Sequence, residues 1–233
     1  MTGQAHDGEH ARIALLHAMS QSMTPIADAF ARTWPEAEYF HLLDDTLARD
    51  LDRLGRVTDT ISERVATLAR YAVSAGRSGT RTAGMILTGT AFGPAAALAR
   101  RSVAVPFLLA HQAAFAQAAA EGTSIGLLLS FEPSVEPLAA DMRAAIRACG
   151  SGAHLEVRYV AGALEALRDG DAREHDRLIA AQAGKLDAAT IVLGQFSMAR
   201  AADTVKEATG RRVVTTPDSA VRALRSQLER TGR

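Results

Sequence analysis

Cysteine is almost missing from this chain. Its 233 residues hold one, Cys149, which excludes an internal disulfide framework and a cysteine-rich metal site. A surplus of charge is missing too, because 26 basic residues balance 26 acidic ones. Nucleic-acid binding needs a net basic footprint, so no nucleic-acid partner is expected. Lysine is scarce; only Lys185 and Lys206 occur, a habit of composition with no functional reading. No apolar run reaches the length of a membrane span, so no membrane partner is expected. The first ten residues are polar and lack the apolar stretch of a secretory signal. They read as a disordered leader, and the expected location is the cytoplasm. His6, Asp7, Glu9 and His10 lie in that leader and offer a chance metal contact at most. A phosphate loop is absent as well, since G-T-A-F-G after Thr88 is neither a Walker motif nor G-x-G-x-x-G.

What is present is an ordinary apolar content of 48 %, enough to bury a substantial core. One stretch organises the rest. Met85–Pro94 reads M-I-L-T-G-T-A-F-G-P, an apolar run handed over to small and hydroxyl residues and then to a helical segment, Ala91–Arg101. This is a buried strand meeting a helix N-terminus, the place where an open α/β sheet binds ligands and where free N–H groups favour an anion. Ile191-Val192-Leu193 followed by Gly194-Gln195 and Phe196–Arg200 has the same shape, and Gly89 and Gln195 lie 106 positions apart. Two such turns imply a duplicated fold with a cleft between its halves.

Strand-like and helical runs alternate along the whole chain, the pattern of a parallel α/β sheet. Strands are expected at Arg12–Ala18, Glu36–Leu43, Met85–Thr88 and Val103–Phe107, then at Ser124–Leu129, Leu155–Val160, Thr190–Leu193 and Val213–Thr215. Helices are expected at Ser20–Thr33, Val57–Ala72, Ala110–Ala120, Ser134–Ala148 and within Gly170–Leu186. Gly76–Gly84 reads as a polar loop, long for its kind, and serves either as a lid or as plain surface. Thr216 is an N-cap with Pro217 at the first turn of a last helix. The expected organisation is a leader at 1–10, a first α/β sub-domain at 11–108 and a second at 109–210, with 211–233 packing back on the first.

The residues at strand ends define a candidate site. Thr88 and Thr90 supply hydroxyls around Gly89, which lets a ligand approach the backbone. Ser197 and the N–H groups of Phe196 and its neighbours mirror them after Gln195. Ser130 and Thr215 also stand at carboxyl ends. Each hydroxyl is either a ligand contact or a helix cap. Together they form a cradle for a small anion.

These motifs carry a resemblance. L-T-G-T-A-F-G-P (Leu87–Pro94), L-G-Q-F-S-M-A-R-A-A (Leu193–Ala202), T-T-P-D-S-A-V-R-A-L (Thr215–Leu224) and L-L-H-A-M-S-Q-S-M-T-P-I (Leu15–Ile26) resemble the aspartate/glutamate/hydantoin racemase superfamily over most of the chain. The resemblance implies two similar α/β sub-domains related by a pseudo-twofold axis, an amino-acid-like or carboxylate substrate, no metal and no organic cofactor. It also implies homodimers, which the superfamily often forms. Its racemases use two cysteines that face each other across the cleft. Here those positions fall on Gly89 and Gln195, neither of which is an acid or base near neutral pH. Cys149 stands at a helix end, away from both. The arylmalonate decarboxylases of the same superfamily share the glycine at the first position but keep a cysteine at the second.

Replacement chemistry is therefore sought elsewhere. His17 closes the first strand and titrates in the right range; it is either an acid–base group or a hydrogen-bonded strand-end residue. Asp44 and Asp45 bind an ammonium group or cap the next segment. His111 follows the fourth strand and is a further cleft candidate. His41 and His175 read as surface or packing residues, and Glu132 as a partner of a helix dipole. Three functions compete: an isomerase of racemase type with chemistry moved off cysteine, a decarboxylase-like lyase, and a silent relative that binds a small acid.

Overall fold

The computed structural model describes residues 11–75 and 81–231. The expected leader at 1–10 and residues 76–80 of the expected loop lie outside them. The described residues form two four-stranded, all-parallel sheets flanked by helices. The first contains β1 (Arg12–His17), β2 (Glu38–Leu43), β3 (Thr82–Leu87) and β4 (Phe107–Leu109) in the order β2-β1-β3-β4. The second contains β5 (Ser124–Leu129), β6 (His154–Tyr159), β7 (Thr190–Leu193) and β8 (Arg212–Thr215) in the order β6-β5-β7-β8. The two orders are the same, so the protein is an α/β fold of two similar sub-domains.

The helices are α1 (Met23–Thr33), α2 (Thr46–Leu54), α3 (Asp59–Ser74), α4 (Gly93–Ser102) and α5 (Gln112–Glu121) in the first stretch of chain. Then come α6 (Val135–Cys149), α7 (Ala163–Arg168), α8 (Ala172–Ala183), α9 (Ala202–Thr209) and α10 (Thr216–Thr231). Short 3-10 segments precede α1, α6 and α9, at Ser20–Ser22, Glu132–Ser134 and Phe196–Ala201.

The inner strands read as continuous apolar runs because helices cover both of their faces. In β1, Ala14 and Leu16 pack with Leu47, Ile61 and Val65 on one side. Ile13 and Leu15 pack with Ile26, Phe30 and Leu224 on the other. β5 repeats this, with Leu128 against Ile179 and Ile191 and Leu127 and Leu129 against Phe115, Leu138 and Met142. Each such Leu or Ile contributes about 2 kcal/mol through burial. The last helix ties the halves together. β8 belongs to the second sheet, whereas Ala220, Val221 and Leu224 of α10 pack beside Ile13, Ile26 and Ile86 of the first half.

Several boundaries differ from the sequence reading. β3 begins at Thr82, so 82–84 of the expected loop is strand. Thr82 Oγ1 donates to Ala72 O at 2.6 Å and anchors that start. The fourth strand is Phe107–Leu109, not Val103–Phe107, because Met85 N–H takes Pro106 O and the ladder begins only there. A helix not anticipated, α2, follows Asp44, whose Oδ1 accepts Thr46 N–H at 3.1 Å. Thr216 is the first helical residue rather than the cap; the side chain ahead of it, Thr215, donates to Asp218 Oδ2 at 2.8 Å.

Candidate functional site

The register puts the two key turns at equivalent places. In the first half Leu87 pairs with Leu16, and Thr88 N–H extends the ladder to Leu16 O. In the second half Leu193 pairs with Leu128, and Gly194 N–H extends the ladder to Leu128 O. Gly89 and Gln195 each follow one residue later. They meet at one cavity, lined by Met19, Leu51, Phe92, Phe131, Leu164 and Phe196 with the polar side chains of Ser22, Thr88, Thr90, Gln195 and Ser197. The cavity is a small one. It leaves about 40 Å³ open to the centres of water-sized groups. One water needs about 10–15 Å³ on that measure, so on the order of three such groups fit, the size of one carboxylate. No charged side chain lines it among the described residues.

Neither turn presents an open position to the cavity: at Gly89 a larger side chain has no room, and at Gln195 the amide fills the space. A Cβ on Gly89 would lie 2.6 Å from Phe92 Cδ2 and 2.9 Å from Cε2, because the Phe92 ring covers the glycine. The turn that brings it there is closed by Phe92 N–H on Gly89 O at 3.2 Å. Gln195 is held in a buried amide network. Its Oε1 accepts Ser130 N–H at 2.6 Å and the Ser130 hydroxyl at 3.0 Å, while its Nε2 donates to Ser134 Oγ at 3.2 Å. Gly194 beside it is enforced by packing: a Cβ there would fall 2.6 Å from Leu129 Cδ2.

His17 stands behind the cavity. It is fully buried, with Nδ1 2.9 Å from Thr88 Oγ1 and Nε2 2.8 Å from His41 Nδ1. Burial, and next the neighbouring His41, push its pKa down to about 3. Burial lowers His41 as well. His17 is therefore a neutral imidazole at neutral pH and reaches the cavity through the Thr88 hydroxyl.

The remaining residues singled out from sequence divide cleanly. Thr88, Gly89, Thr90, Gln195, Phe196 and Ser197 line the cavity. Ser130 is occupied by Gln195. Thr215 lines a separate groove of about 590 Å³ with Asp28, Arg32, Arg200 and Asp218. Asp44 lies outside the cavity and pairs with Arg64 at 2.5 Å. Burial pushes its carboxyl up, but hydrogen bonds from Thr46 and Arg64 outweigh that and hold it below the usual range. Asp45 pairs with Arg49. His111 is buried against Asp141 at 2.8 Å. His175 is buried with Nδ1 2.7 Å from Asp176. Cys149 is exposed at the end of α6. Among the described residues no His, Cys, Asp and Glu cluster of three or more could hold a metal, and no helix is long and apolar enough to cross a membrane.

Sequence reasoning missed Phe92 and His41 as parts of the site. Phe92 lies inside the quoted L-T-G-T-A-F-G-P motif, three residues after the glycine, where one turn of chain folds back on itself. His41 carries a weaker signal: it stands two residues before the end of the strand that pairs with β1.

No family model matches the chain, and no curated protein matches it. Solved structures do. A glutamate racemase of Bacillus anthracis aligns over 96 % of this chain and 84 % of its own at 14 % identity, with a TM-score of 0.72. An allantoin racemase of Pseudomonas fluorescens covers 95 % of this chain and 92 % of its own at 21 % identity and a TM-score of 0.67. A mutant arylmalonate decarboxylase in a liganded form covers 94 % and 92 % at 18 % identity and a TM-score of 0.60. At these identities the likeness is one of fold: the chain has the fold of these racemases and of the decarboxylase.

Proposed function

We propose that this racemase-fold protein binds a small carboxylic acid in the cavity between its halves and does not run two-thiol racemization there. The observation that carries this reading is the lining. Among the described residues every side chain facing the cavity is uncharged, and both positions where the resemblance implies a thiol are taken, one by the Phe92 ring and the other by the tethered Gln195 amide. The polar groups left over are neutral: the Thr88, Thr90 and Ser197 hydroxyls and the Gln195 amide. The start of α4 directly after the first turn adds a partial positive charge. Such donors suit a carboxyl group, while Leu51, Phe92, Phe131 and Leu164 favour an apolar substituent on it. A ligand larger than one carboxyl group opens the cavity as it enters.

A second reading has its own observation. Thr88 Oγ1 lies within hydrogen-bond reach of His17, and a hydroxyl paired with a neutral imidazole is one form of acid–base site. On that reading the protein is a cofactor-independent isomerase or a decarboxylase-like lyase with non-cysteine chemistry.

The test is ligand-observed and product-observed proton NMR in D2O, with a panel of amino acids, hydantoins, maleate and substituted malonates. Line broadening of one or more acids, lost in Thr90→Val and unaccompanied by Cα exchange, supports the binding reading. Cα exchange or decarboxylation at an enzymic rate overturns it in favour of the second.

A further inference from the structure

We propose that Thr88, His17 and His41 form a one-proton relay that connects the cavity with the partly exposed edge of the first sheet. The three groups stand in line: Thr88 Oγ1 at 2.9 Å from His17 Nδ1, and His17 Nε2 at 2.8 Å from His41 Nδ1. Thr88 lines the cavity, His17 is fully buried and His41 is only half-buried on β2. The chain of bonds therefore runs from the cavity, through the core, to a strand on the sheet's edge.

A neutral imidazole has one N–H donor and one bare nitrogen acceptor. With both nitrogens bonded, His17 must donate on one side and accept on the other. That gives the chain a direction, and two directions are available. In one, the Thr88 hydroxyl donates to Nδ1 and Nε2–H donates to His41. In the other, His17 Nδ1–H donates to Thr88 Oγ1 and His41 Nδ1–H donates to Nε2. Thr88 then turns its own proton to Leu16 O, which lies 3.2 Å from Oγ1. The structure supplies acceptors for both states.

The step between them balances. A cavity acid gives its proton to Thr88 Oγ1 as the hydroxyl proton passes to His17 Nδ1. The Nε2 proton of His17 passes to His41 Nδ1, and the far ring proton of His41 leaves to water. One proton leaves the cavity and no imidazole becomes charged. This matters because a charged His17 is strongly disfavoured at its buried position. The reverse shift brings a proton in. Among the described residues no ionisable group lines the cavity itself, so the relay is the route by which the protein's own titratable groups reach a ligand there.

The experiment is side-chain NMR on the ligand-free, 15N-labelled full chain, reading the water-exchange rate of the His17 ring proton. Wild type is expected to exchange rapidly despite complete burial. His41→Gln keeps a hydrogen bond to His17 but passes no proton, and is expected to slow exchange at least tenfold. His41→Ala is expected to slow it likewise, with added imidazole restoring the wild-type rate. A simple brace gives the opposite sign: loss of His41 loosens the site, so exchange quickens or stays the same, and that result overturns the relay. If either variant fails to fold, the wild-type 15N shifts still decide. A doubly protonated His17 at pH 7 overturns the relay, and a singly protonated ring exchanging faster than neighbouring buried amides supports it. None of these readouts uses a ligand, so failure of the relay and failure of the binding reading are separate results.

Discussion

Lowering the pH from 7 to 4 puts a proton on His17 in the unfolded chain while the folded protein resists it. The group titrates at 6.5 when free and at about 3 in the fold. A base whose folded value is depressed binds fewer protons in the native state. Its contribution to stability is therefore intact above pH 6.5, falls as pH drops below that value, and levels off near pH 3. Between those limits one extra proton on unfolding gives a slope of about 1.4 kcal/mol per pH unit. By pH 4 the loss attributable to His17 is about 3 kcal/mol, a large share of a typical domain's stability. Urea unfolding at pH 7, 6, 5 and 4 measures it, with His17→Asn as the reference. Groups remote from His17 and His41 are common to both proteins and cancel in the difference. The variant starts less stable at pH 7, because Thr88 and His41 lose their buried partner, but its curve is flatter. Wild type is expected to lose about 3 kcal/mol more than the variant across the series. Parallel curves would refute the reasoning, because they would mean that His17 is protonated in the folded state as readily as in the unfolded one.

Other consequences are more local. Gly89→Ala places a Cβ 2.6 Å from the Phe92 ring and is expected to lower unfolding free energy by about 1–3 kcal/mol. Adding Phe92→Leu should relieve part of that, so the two changes together cost less than their sum in a denaturation double-mutant cycle. Gln195→Leu leaves the Ser130 N–H and hydroxyl without their acceptor and is expected to cost about 1–3 kcal/mol by the same assay; an unchanged midpoint would mean water replaces the amide. Arg64→Ala removes a partly exposed bridge to Asp44 and Asp50. Its stability cost is expected to stay below about 1 kcal/mol, while the Asp44 carboxyl moves up toward its usual range in an NMR titration.

The fold was legible because its signal is repeated. Apolar runs such as Ile125–Leu129 and Ile191–Leu193, each ending in small residues, mark inner parallel strands and their ligand-binding ends without any tertiary information. Short or locally weak elements were not legible. α2 has Asp and Arg on most of its surface and holds its place through Leu47 and Leu51 against the first core, a tertiary cause that T-L-A-R-D-L alone does not announce. β4 begins only where Pro106 O meets a partner strand, and no propensity sets that point. Within the site, the hydroxyl and glycine turn was readable, because strand ends and helix starts are sequence features. What those residues touch was not. That Phe92 covers Gly89, that Gln195 turns toward Ser130 and Ser134, and that His41 meets His17 all depend on how neighbouring strands and turns are brought together.

The two halves share a register, and this makes their differences informative. Counting from the paired Leu16–Leu87 and Leu128–Leu193, His17 stands where the second half has Leu129, and Ala18 where it has Ser130. Thr88 stands where it has Gly194, and Gly89 where it has Gln195. The first half thus carries a hydroxyl joined to two imidazoles. The second carries an amide tied to two serines, and none of these three side chains is an acid or base. Among the described residues the two turns of the duplicated scaffold therefore differ in kind, with imidazoles behind the first and an amide–hydroxyl network behind the second. Substituting cysteine at both Gly89 and Gln195 does not by itself build a facing pair of thiols, because the Phe92 ring occupies the space a side chain at position 89 needs. The specialisation of this site therefore lies in the pairing of each turn with its neighbour, Phe92 with Gly89 and Ser130 with Gln195, and a proton that enters the cavity from the protein comes from the Thr88 side.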